Sequence, residues 1–333
     1  MKTTIIGDGG WGTALAMLLN RKGREVWIRG EFPEYLAEMK MTRMNRKFLP
    51  GFPIPGEIKL VHDLGQALAG AEAIIFAFPS QYYSGLCRRI KPYLEGAPLI
   101  ISAGKGLEVK TGRRLSLIVS ETLQIENPVI LSGPSHAEEV ARRLPASVVA
   151  ASRSPELACR AQELLMEERF RVYTHDDVIG VELGGAVKNV IAIAAGICDG
   201  LGFGDNTKAA LLTRGIVEIA RLGVALGARK ETFWGLSGIG DLMATAFSPY
   251  GRNHRFGKMI GEGISVSRAL ASTEMVVEGV KTAAATWFLA RQLSVEMPIS
   301  REIYQVLEKE KPPLRAVRDL MTRAPKHEDE ETG

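Results

Sequence analysis

The first twenty residues restrict the fold of this chain more than any other part of the sequence. Residues 2–6 (KTTII), rich in β-branched side chains, predict a short strand, residues 13–20 have helical composition, and the turn between them carries Gly7, Gly9 and Gly12. In this context the first glycine permits the tight turn, the second lets a pyrophosphate approach the backbone, and the third allows close helix packing. Free N–H groups at the helix start bind the diphosphate. The segment therefore predicts a dinucleotide-binding site at the start of a parallel sheet.

Apolar runs farther along the chain extend this predicted sheet. Residues 73–78 are apolar throughout, as is typical of a strand that is covered on both faces. Further strands are predicted at residues 25–29, 98–102, 129–131, 146–151 and 171–174. Because strands alternate with helical segments, we predict an α/β fold in which residues 1–178 form a Rossmann-like, doubly wound sheet.

The second half of the sequence has a different pattern. After Asp177 there is no good strand, and helical patterns follow one another to the C-terminus. Residues 237–242 interrupt them as a glycine-rich break that carries one carboxylate, Asp241. We predict that residues 179–325 form an all-helical domain for substrate binding and catalysis. The polar, charged tail, residues 326–333, is predicted to be frayed.

Lys188 is a charged residue in a helical stretch that is otherwise almost wholly apolar or small. No polar side chain occurs in residues 190–198, so this helix should be buried. It is too short and too charged to span a membrane. A buried ammonium must be paired or must lower its pKa, and both states suit a lysine that exchanges protons with a substrate. The alternative is a lysine that reaches water from the helix end, or that pairs with Glu182 or Asp199.

Three other positions have the chemistry of ligand contacts. Lys105 lies in a small-residue turn after the fourth predicted strand, at the sheet edge where ligands bind in open α/β folds. Ser135 and Glu138 have capping-box spacing, and a ligand contact by Ser135 is equally compatible with the sequence. Arg252 and Asn253 begin a predicted helix, where a guanidinium and backbone N–H groups bind phosphate; an exposed basic turn is the alternative.

The end of the second predicted strand bears on the choice of cofactor. NAD-binding folds usually place an acid there, to bind the ribose 2′-hydroxyl. This chain has Arg29, Gly30 and Glu31 instead. Since a guanidinium favours a 2′-phosphate, the sequence predicts NADPH, and Glu31 leaves NADH as the alternative.

Composition excludes several classes of function. The chain of 333 residues is 46% hydrophobic and 24% charged, which is typical of a soluble globular protein. A formal net charge of +4 is too small to indicate nucleic acid or a membrane surface as partner. The three cysteines are far apart, which indicates neither a disulfide framework nor a metal site and favours the reducing cytosol. Since no apolar leader is visible before the first predicted strand, we expect no export signal.

Taken together, these motifs resemble the NAD(P)-dependent glycerol-3-phosphate dehydrogenases of the bacterial biosynthetic type. The matching segments follow the family's order and spacing over nearly the full chain. They are residues 7–13 (GDGGWGT), 102–107 (SAGKGL), 131–137 (LSGPSHA), 182–189 (ELGGAVKN), 236–242 (LSGIGDL), 251–253 (GRN), 276–279 (VVEG) and 320–323 (LMTR).

The resemblance implies that dihydroxyacetone phosphate is reduced to sn-glycerol 3-phosphate, reversibly, for phospholipid synthesis by a cytoplasmic homodimer. It implies that Lys188 exchanges the proton, with Asn189 and Asp241 beside it. With the loop glycines, the cofactor contacts would be Gly7, Gly9, Gly10, Trp11, Gly12, Arg29, Lys105, Ala137, Arg252, Val276 and Glu278. The substrate contacts would be Lys105, Gly133, Ser135, Lys188, Asp241, Gly251, Arg252 and Asn253.

The chain departs from the family in its first loop, where Asp8 stands at a position that is commonly small. A carboxylate facing a diphosphate is unfavourable, so we expect Asp8 to point away from it. Two other functions are compatible with parts of the sequence. One is a β-hydroxyacid-type dehydrogenase with a carboxylate or acyl-CoA substrate, and the other is a redox sensor that binds NADPH without catalysis.

Overall fold

The computed structural model describes residues 1–248, 250–325 and 327–328. Most of the predicted frayed tail, residues 326–333, therefore lies outside the described residues. The predicted fold class is confirmed, because a mainly parallel sheet covered by helices is followed by a helical half.

The strands of the N-terminal half belong to one large sheet and one small hairpin. Their bounds are β1 (Lys2–Ile6), β2 (Glu25–Arg29), β3 (Met44–Asn45), β4 (Leu49–Pro53), β5 (Lys59–Val61), β6 (Ala73–Phe76), β7 (Leu99–Ser102), β8 (Val129–Ser132), β9 (Ala146–Ala151) and β10 (Phe170–His175). The large sheet has the order β10-β9-β8-β7-β6-β1-β2-β5, and β3 pairs with β4. All neighbours in the large sheet are parallel except β8 and β9, which are antiparallel. The three short strands β3, β4 and β5 are not among the strands predicted from the sequence.

Helices cover the sheet and then form the C-terminal half. Those of the first half are α1 (Gly10–Arg21), α2 (Pro33–Thr42), α3 (Leu64–Leu68), α4 (Tyr83–Ile90), α5 (Leu115–Leu123), α6 (Ala137–Ala141) and α7 (Pro155–Leu165). Those of the second half are α8 (Val178–Gly200), α9 (Asp205–Ala225), α10 (Asp241–Phe247), α11 (Arg252–Gly261), α12 (Val266–Ala271), α13 (Glu278–Gln292), α14 (Pro298–Lys309) and α15 (Pro313–Met321).

The glycine turn between β1 and α1 has the geometry that the sequence predicts. Gly7 has φ of +118°, and a Cβ there would collide with the carbonyl of Ala77. A Cβ on Gly12 would collide with the carbonyl of Gly7. Around Gly9, in contrast, the space that a Cβ would occupy is open to 4 Å. The loop is therefore tight on its inner side and open on the side where a ligand would approach.

Helix α8 is the centre of the C-terminal half. It packs against α9, α10, α11, α13 and α14, and its approach to α11 is close because Gly196 and Gly257 have no side chains. The expectation that this helix is too short and too charged to span a membrane is wrong in its reason, because α8 has 23 residues and passes a test of length and hydropathy. It is buried instead, with 94% of its most apolar window inside the protein. It is the core helix of this half, as predicted for the stretch around Lys188.

The segment predicted as a glycine-rich break is in fact helical. Residues Leu236–Gly240 form a π-helical turn that runs directly into α10, which begins at Asp241. The wide turn brings backbone close to α8, since a Cβ on Gly184 would lie 2.6 Å from the carbonyl oxygen of Ser237. Such turns occur often at functional sites, and this one sets the position of the Asp241 carboxylate.

Candidate active site

Lys188 lies on α8 and is 5% exposed. Its ammonium donates hydrogen bonds to Oδ1 of Asp241 and to Oγ1 of Thr245, the latter at 2.6 Å. Asp241 and Thr245 are four residues apart on α10, so both side chains face α8. The Thr245 hydroxyl in turn donates to the carbonyl of Asp241, which leaves a lone pair directed at the lysine.

The two acids that the sequence offered as partners for Lys188 are bonded elsewhere. Glu182 accepts hydrogen bonds from the backbone N–H and the hydroxyl of Ser116, at 2.8 and 2.6 Å. Asp199 pairs with Lys208 on α9 at 2.7 Å. The lysine therefore depends on Asp241 for its counter-charge.

Lys105 reaches the same carboxylate from the sheet half. Its Nζ lies 2.8 Å from Oδ2 of Asp241, 2.8 Å from the carbonyl oxygen of Gly133 and 3.4 Å from Oγ of Ser135. Gly133 has φ of +124°, and a Cβ there would lie 3.0 Å from Cα of Val148, so only glycine places that carbonyl without strain. One carboxylate thus joins two ammonium groups from opposite sides of the cleft.

Burial and this shared carboxylate set the protonation of the pair. Burial lowers the pKa of Lys188 to about 7, and the charges of Lys105 and Arg252 act in the same direction, against Asp241. Burial works to raise the pKa of Asp241, yet the two ammonium groups hold it below its ordinary value. Lys188 can therefore exchange a proton near neutral pH while Asp241 stays ionised.

A chain of side-chain amides connects the Lys105 loop to α11 and α13. Nδ2 of Asn189 donates to the carbonyl of Lys105 at 3.1 Å, and Oδ1 of Asn189 accepts from Nδ2 of Asn253 at 2.9 Å. Oδ1 of Asn253 then accepts from the N–H of Gly279 at 2.9 Å. The chain fixes the spacing between Lys105 and the start of α11.

Arg252 and Gly251 lie at the start of α11, beside Asn253. The Arg252 side chain is exposed, and it donates to the carbonyl of Val276 at 3.3 Å. Gly251 caps the helix, and a Cβ there would lie 2.6 Å from the carbonyl oxygen of Thr245. The turn therefore places the Arg252 guanidinium and the first N–H groups of α11 beside the cleft that contains Lys188 and Asp241.

The opening of the first loop fits a dinucleotide. Helix α1 begins at Gly10, whose Cβ position faces the carbonyl of Phe48 and, at 3.6 Å, Cβ of Ala137. Two buried polar atoms at this loop, Oδ2 of Asp8 and Nε1 of Trp11, have no hydrogen-bond partner. Free helix N–H groups and the N–H of Trp11 are donors that a diphosphate requires, whereas the Asp8 carboxylate can only accept a hydrogen bond, as from a sugar hydroxyl.

Glu278 connects the two halves at the other side of the cleft. Its carboxylate accepts from the N–H of Ser80 at 3.2 Å and from the hydroxyl of Ser80 at 2.7 Å. A Cβ on Gly106 would lie 2.8 Å from Oε2 of Glu278, so that loop has no room for a side chain. Burial raises the pKa of Glu278.

Two residues of this site, Thr245 and His136, are not among those predicted from the sequence, and one predicted contact is wrong. Thr245 could have been found from its spacing of four from Asp241, and His136, which approaches the carbonyl of Ala244 at 3.2 Å, carries no such signal. The predicted capping box is wrong: His136 is the N-cap of α6, and the Ser135 hydroxyl donates instead to the carbonyl of Gly133. No cluster of metal-ligand residues occurs in the described part of the chain.

Each half of the chain matches a family of known proteins. Residues 2–158 match the family described as NAD-dependent glycerol-3-phosphate dehydrogenase N-terminus, and residues 177–318 match the corresponding C-terminus family. A relative from Carboxydothermus hydrogenoformans, named Glycerol-3-phosphate dehydrogenase (NAD(P)+), is 48% identical over 330 residues, which cover 98% of each chain.

Solved structures give the same result at the level of the fold. A crystal structure of glycerol-3-phosphate dehydrogenase from Coxiella burnetii is 38% identical, with a TM-score of 0.94, over 97% of this chain and 99% of that one. A ketopantoate reductase from Ralstonia eutropha is 16% identical, with a TM-score of 0.60, over 95% of this chain and 100% of that one. The second likeness concerns the fold alone.

Proposed function

This chain belongs to the family of NAD-dependent glycerol-3-phosphate dehydrogenases, and from that premise we propose that Lys188 exchanges the proton in the reversible reduction of dihydroxyacetone phosphate to sn-glycerol 3-phosphate. When bound, the nicotinamide cofactor supplies or accepts the hydride. The observation that carries the proposal is the buried ammonium of Lys188, held by Asp241 and Thr245 in the cleft between the two halves.

In the direction of reduction, negative charge develops on the carbonyl oxygen of the substrate. The Lys188 ammonium stabilises that charge and then donates its proton to the oxygen. Asp241 orients the ammonium and favours its charged form. Lys105, bonded to the same carboxylate, adds positive charge on the side of the cofactor loop. In oxidation the neutral amine of Lys188 takes the hydroxyl proton.

We propose that the start of α11 binds the substrate phosphate. Arg252 supplies an exposed guanidinium there, and the backbone N–H groups of the first turn add donors. Asn253 donates one amide N–H to Asn189, and we propose that its other N–H reaches the phosphate. Binding the phosphate at a distance from the reacting carbon fixes the substrate in a reactive geometry.

The family requires a nicotinamide cofactor, and the prediction of NADPH over NADH rests on Arg29. Its side chain is 2% exposed, and the guanidinium donates to the carbonyl of His62 at 3.0 Å and to Glu31. A guanidinium with these partners does not by itself favour a 2′-phosphate. The preference therefore depends on the carboxylates beside Arg29.

A cytoplasmic homodimer remains the prediction for assembly and location. The three cysteines, Cys87, Cys159 and Cys198, are free thiols, which is compatible with a reducing compartment. Light scattering on the purified protein measures the oligomeric state directly.

The activity is tested by following reduced cofactor at its nicotinamide absorbance after dihydroxyacetone phosphate is added. The wild-type protein should oxidise NADH or NADPH, and Lys188→Ala should lower kcat by at least about 10²-fold because the proton donor is lost. Fluorescence titration should show that cofactor binding by this variant is unchanged.

Lys281→Ala is the matched control, because Lys281 is an exposed lysine on α13. It should leave turnover unchanged. Wild-type turnover in Lys188→Ala would remove Lys188 from its role. Oxidation of the reduced cofactor by a 3-oxo acid or a 3-oxoacyl-CoA, but not by dihydroxyacetone phosphate, would favour a β-hydroxyacid-type dehydrogenase. Cofactor binding without turnover of any substrate would favour a sensor.

A further inference from the structure

Asp8 is a buried carboxylate at the end of the sheet where the adenosine half of a dinucleotide binds in such folds. Its side chain is 9% exposed, and Oδ2 has no hydrogen-bond partner. That oxygen lies 2.7 Å from the Cβ position of Gly30, the residue that follows β2. The carboxylate is therefore directed across to the end of β2, in keeping with the expectation that it points away from the diphosphate.

Hydrogen bonds from Asn45 fix the backbone of Asp8, and the fixed backbone determines the direction of its side chain. Nδ2 of Asn45 donates both to the carbonyl of Asp8 and to Oγ1 of Thr13, each at 2.8 Å. A loop fixed in this way keeps the carboxylate at the end of β2. Burial raises the pKa of Asp8, and the charge of Glu31 acts in the same direction, while a backbone hydrogen bond and the charge of Arg29 offset these two effects only in part.

The positive charges near Asp8 are already paired with another acid. Glu31 accepts from Arg29 and also pairs with Arg89 at 2.9 Å. Together with Asp8, the end of β2 therefore carries two carboxylates and two guanidinium groups. These four groups at the end of β2 therefore have no excess of positive charge with which to attract a dianionic 2′-phosphate.

We propose that Asp8 makes this site selective for the nicotinamide cofactor whose adenosine ribose has a free 2′-hydroxyl, NADH, over NADPH. This inference rests on the proposed function, because it concerns the cofactor of the same reaction. It replaces the preference for NADPH that was predicted from Arg29 alone.

Electrostatics gives the reason for the selectivity. A carboxylate that is fixed at the buried end of β2 repels the 2′-phosphate on the adenosine ribose of NADPH. This repulsion is strong because water, which would screen it, is excluded there. A ribose hydroxyl carries no charge and can donate a hydrogen bond to a carboxylate, as the acid at the end of the second strand does in other NAD-binding folds. Asp8 would perform that role from the first loop instead of from β2.

The competing outcome is that Glu31 moves aside and releases Arg29 and Arg89 to bind a 2′-phosphate. The two outcomes differ in which dinucleotide binds more tightly and in what removal of the Asp8 charge does. Equilibrium binding distinguishes them without any turnover. The probes are NADH and NADPH, followed by fluorescence, and ADP-ribose and its 2′-phosphate, followed by calorimetry.

We expect the wild-type protein to bind NADH and ADP-ribose at least about tenfold more tightly than their 2′-phosphorylated counterparts. Asp8→Asn keeps the shape and removes the charge, and Asp8→Ala restores a small side chain in the loop. Both should reduce the ratio of the dissociation constants for NADPH and NADH by about tenfold, mainly by tightening NADPH.

Glu34→Gln is the matched control, because it removes one negative charge from the exposed face of α2. It should leave the ratio unchanged. Tighter binding of NADPH by the wild-type protein, or an unchanged ratio in both Asp8 variants, would overturn the inference while leaving the proposed function in place. Binding of neither dinucleotide would remove the proposed function, and this inference with it.

Discussion

Asp241 shares its carboxylate between Lys105 and Lys188, and this sharing sets the charge of the cleft. With both lysines protonated the three groups sum to +1, and when Lys188 gives up its proton they sum to zero. The site is therefore more attractive to a phosphate ester before the proton is donated than after it. Binding and proton transfer depend on the same three residues.

The pH dependence of the reaction follows from Lys188, whose pKa burial lowers to about 7. Reduction needs the ammonium, so kcat/KM for dihydroxyacetone phosphate should fall as pH rises above about 7. Oxidation needs the neutral amine, so kcat/KM for sn-glycerol 3-phosphate should rise over the same range. Profiles of kcat/KM, which report the pKa of the protein without substrate, check this when they are measured in both directions between about pH 5.5 and 9.

Asp241→Asn tests the cause of that profile. Because the Asp241 charge raises the pKa of Lys188, its removal should shift the pH profiles of both reduction and oxidation to lower pH, and it should also lower the rate. Profiles whose midpoints do not shift would mean that a group other than Lys188 controls the pH dependence.

Arg252→Ala should raise KM for dihydroxyacetone phosphate by about 10- to 100-fold, since a charge-assisted hydrogen bond to phosphate is lost. The value of kcat should change much less. Arg255→Ala, which removes an exposed arginine from the same helix, is the control. An unchanged KM in Arg252→Ala would count against the phosphate assignment.

Single residues differ in how far the sequence predicts their surroundings. A lone ammonium in an apolar helix needs a counter-charge, so the sequence alone predicts that Lys188 has an acidic partner. The sequence does not identify Asp241 as that partner, because Asp241 is 53 residues away and its approach to Lys188 depends on a π-helical turn. The same limit applies to Ser135, whose local spacing favoured a cap although a backbone carbonyl lies nearer.

At the level of elements, Glu218 shows how one helix can cap another. It lies on α9, is 2% exposed, and accepts from the N–H groups of Ile299 and Ser300 at 2.6 and 3.0 Å and from the Ser300 hydroxyl at 3.0 Å. These N–H groups belong to the first turn of α14, where they have no partner within the helix, and α14 has no side-chain cap of its own. The Glu218 side chain therefore caps α14, although the two are 81 residues apart in the sequence.

The ionisation of Glu218 should make the fold less stable as pH rises. Burial raises its pKa from 4.5 to about 7. The folded chain therefore binds this proton more tightly than the unfolded chain, so the contribution to stability is complete below pH 4.5 and is lost as pH rises through about 7. The loss should be about 1 kcal/mol or more, measured by urea unfolding at a series of pH values.

Glu218→Gln removes that titration and should flatten the dependence over this range. Glu308→Gln, on the exposed face of α14, should not alter it. Equal slopes in the wild-type protein and in Glu218→Gln would show that the Glu218 carboxyl group titrates as it does in the unfolded chain.

The longer elements could be predicted from the sequence because their periodicity extends over several turns or a full strand. The strands β3 and β5 have two and three residues, too few for a period to be read. The antiparallel pairing of β8 with β9 was equally hidden. A strand buried on both faces has the same apolar pattern in either direction, so only its connections decide how it runs.

For the whole molecule, carboxylates of the helical half hold donors of the sheet half. Asp241 binds Lys105, Glu278 binds Ser80, and Glu182 binds Ser116. The acids contribute the negative charge and the sheet half contributes the hydroxyl, amide and ammonium donors. These bonds are far apart in sequence, and they define the cleft in which both candidate ligand sites lie.

Burial over the whole molecule predicts how its thiols react. Cys87 and Cys198 are buried, and burial raises their pKa to about 12 and about 11, whereas Cys159 on α7 is exposed. A thiol reagent at mildly alkaline pH should label Cys159 rapidly in the native protein and the other two only after unfolding. Cys159→Ser should abolish the rapid phase, and rapid labelling of a second thiol would contradict this burial.

The central position of α8 has a consequence for synthesis of the chain. The helix ends at Gly200, and α11, which covers one of its sides, begins only at Arg252, with α13 and α14 later still. When α8 has emerged from the ribosome, this apolar helix is exposed, because the helices that cover it have not yet been translated. During that interval it has the length and hydropathy of a membrane-spanning segment. A chaperone that binds the exposed helix would therefore protect the nascent chain from aggregation and from targeting to a membrane.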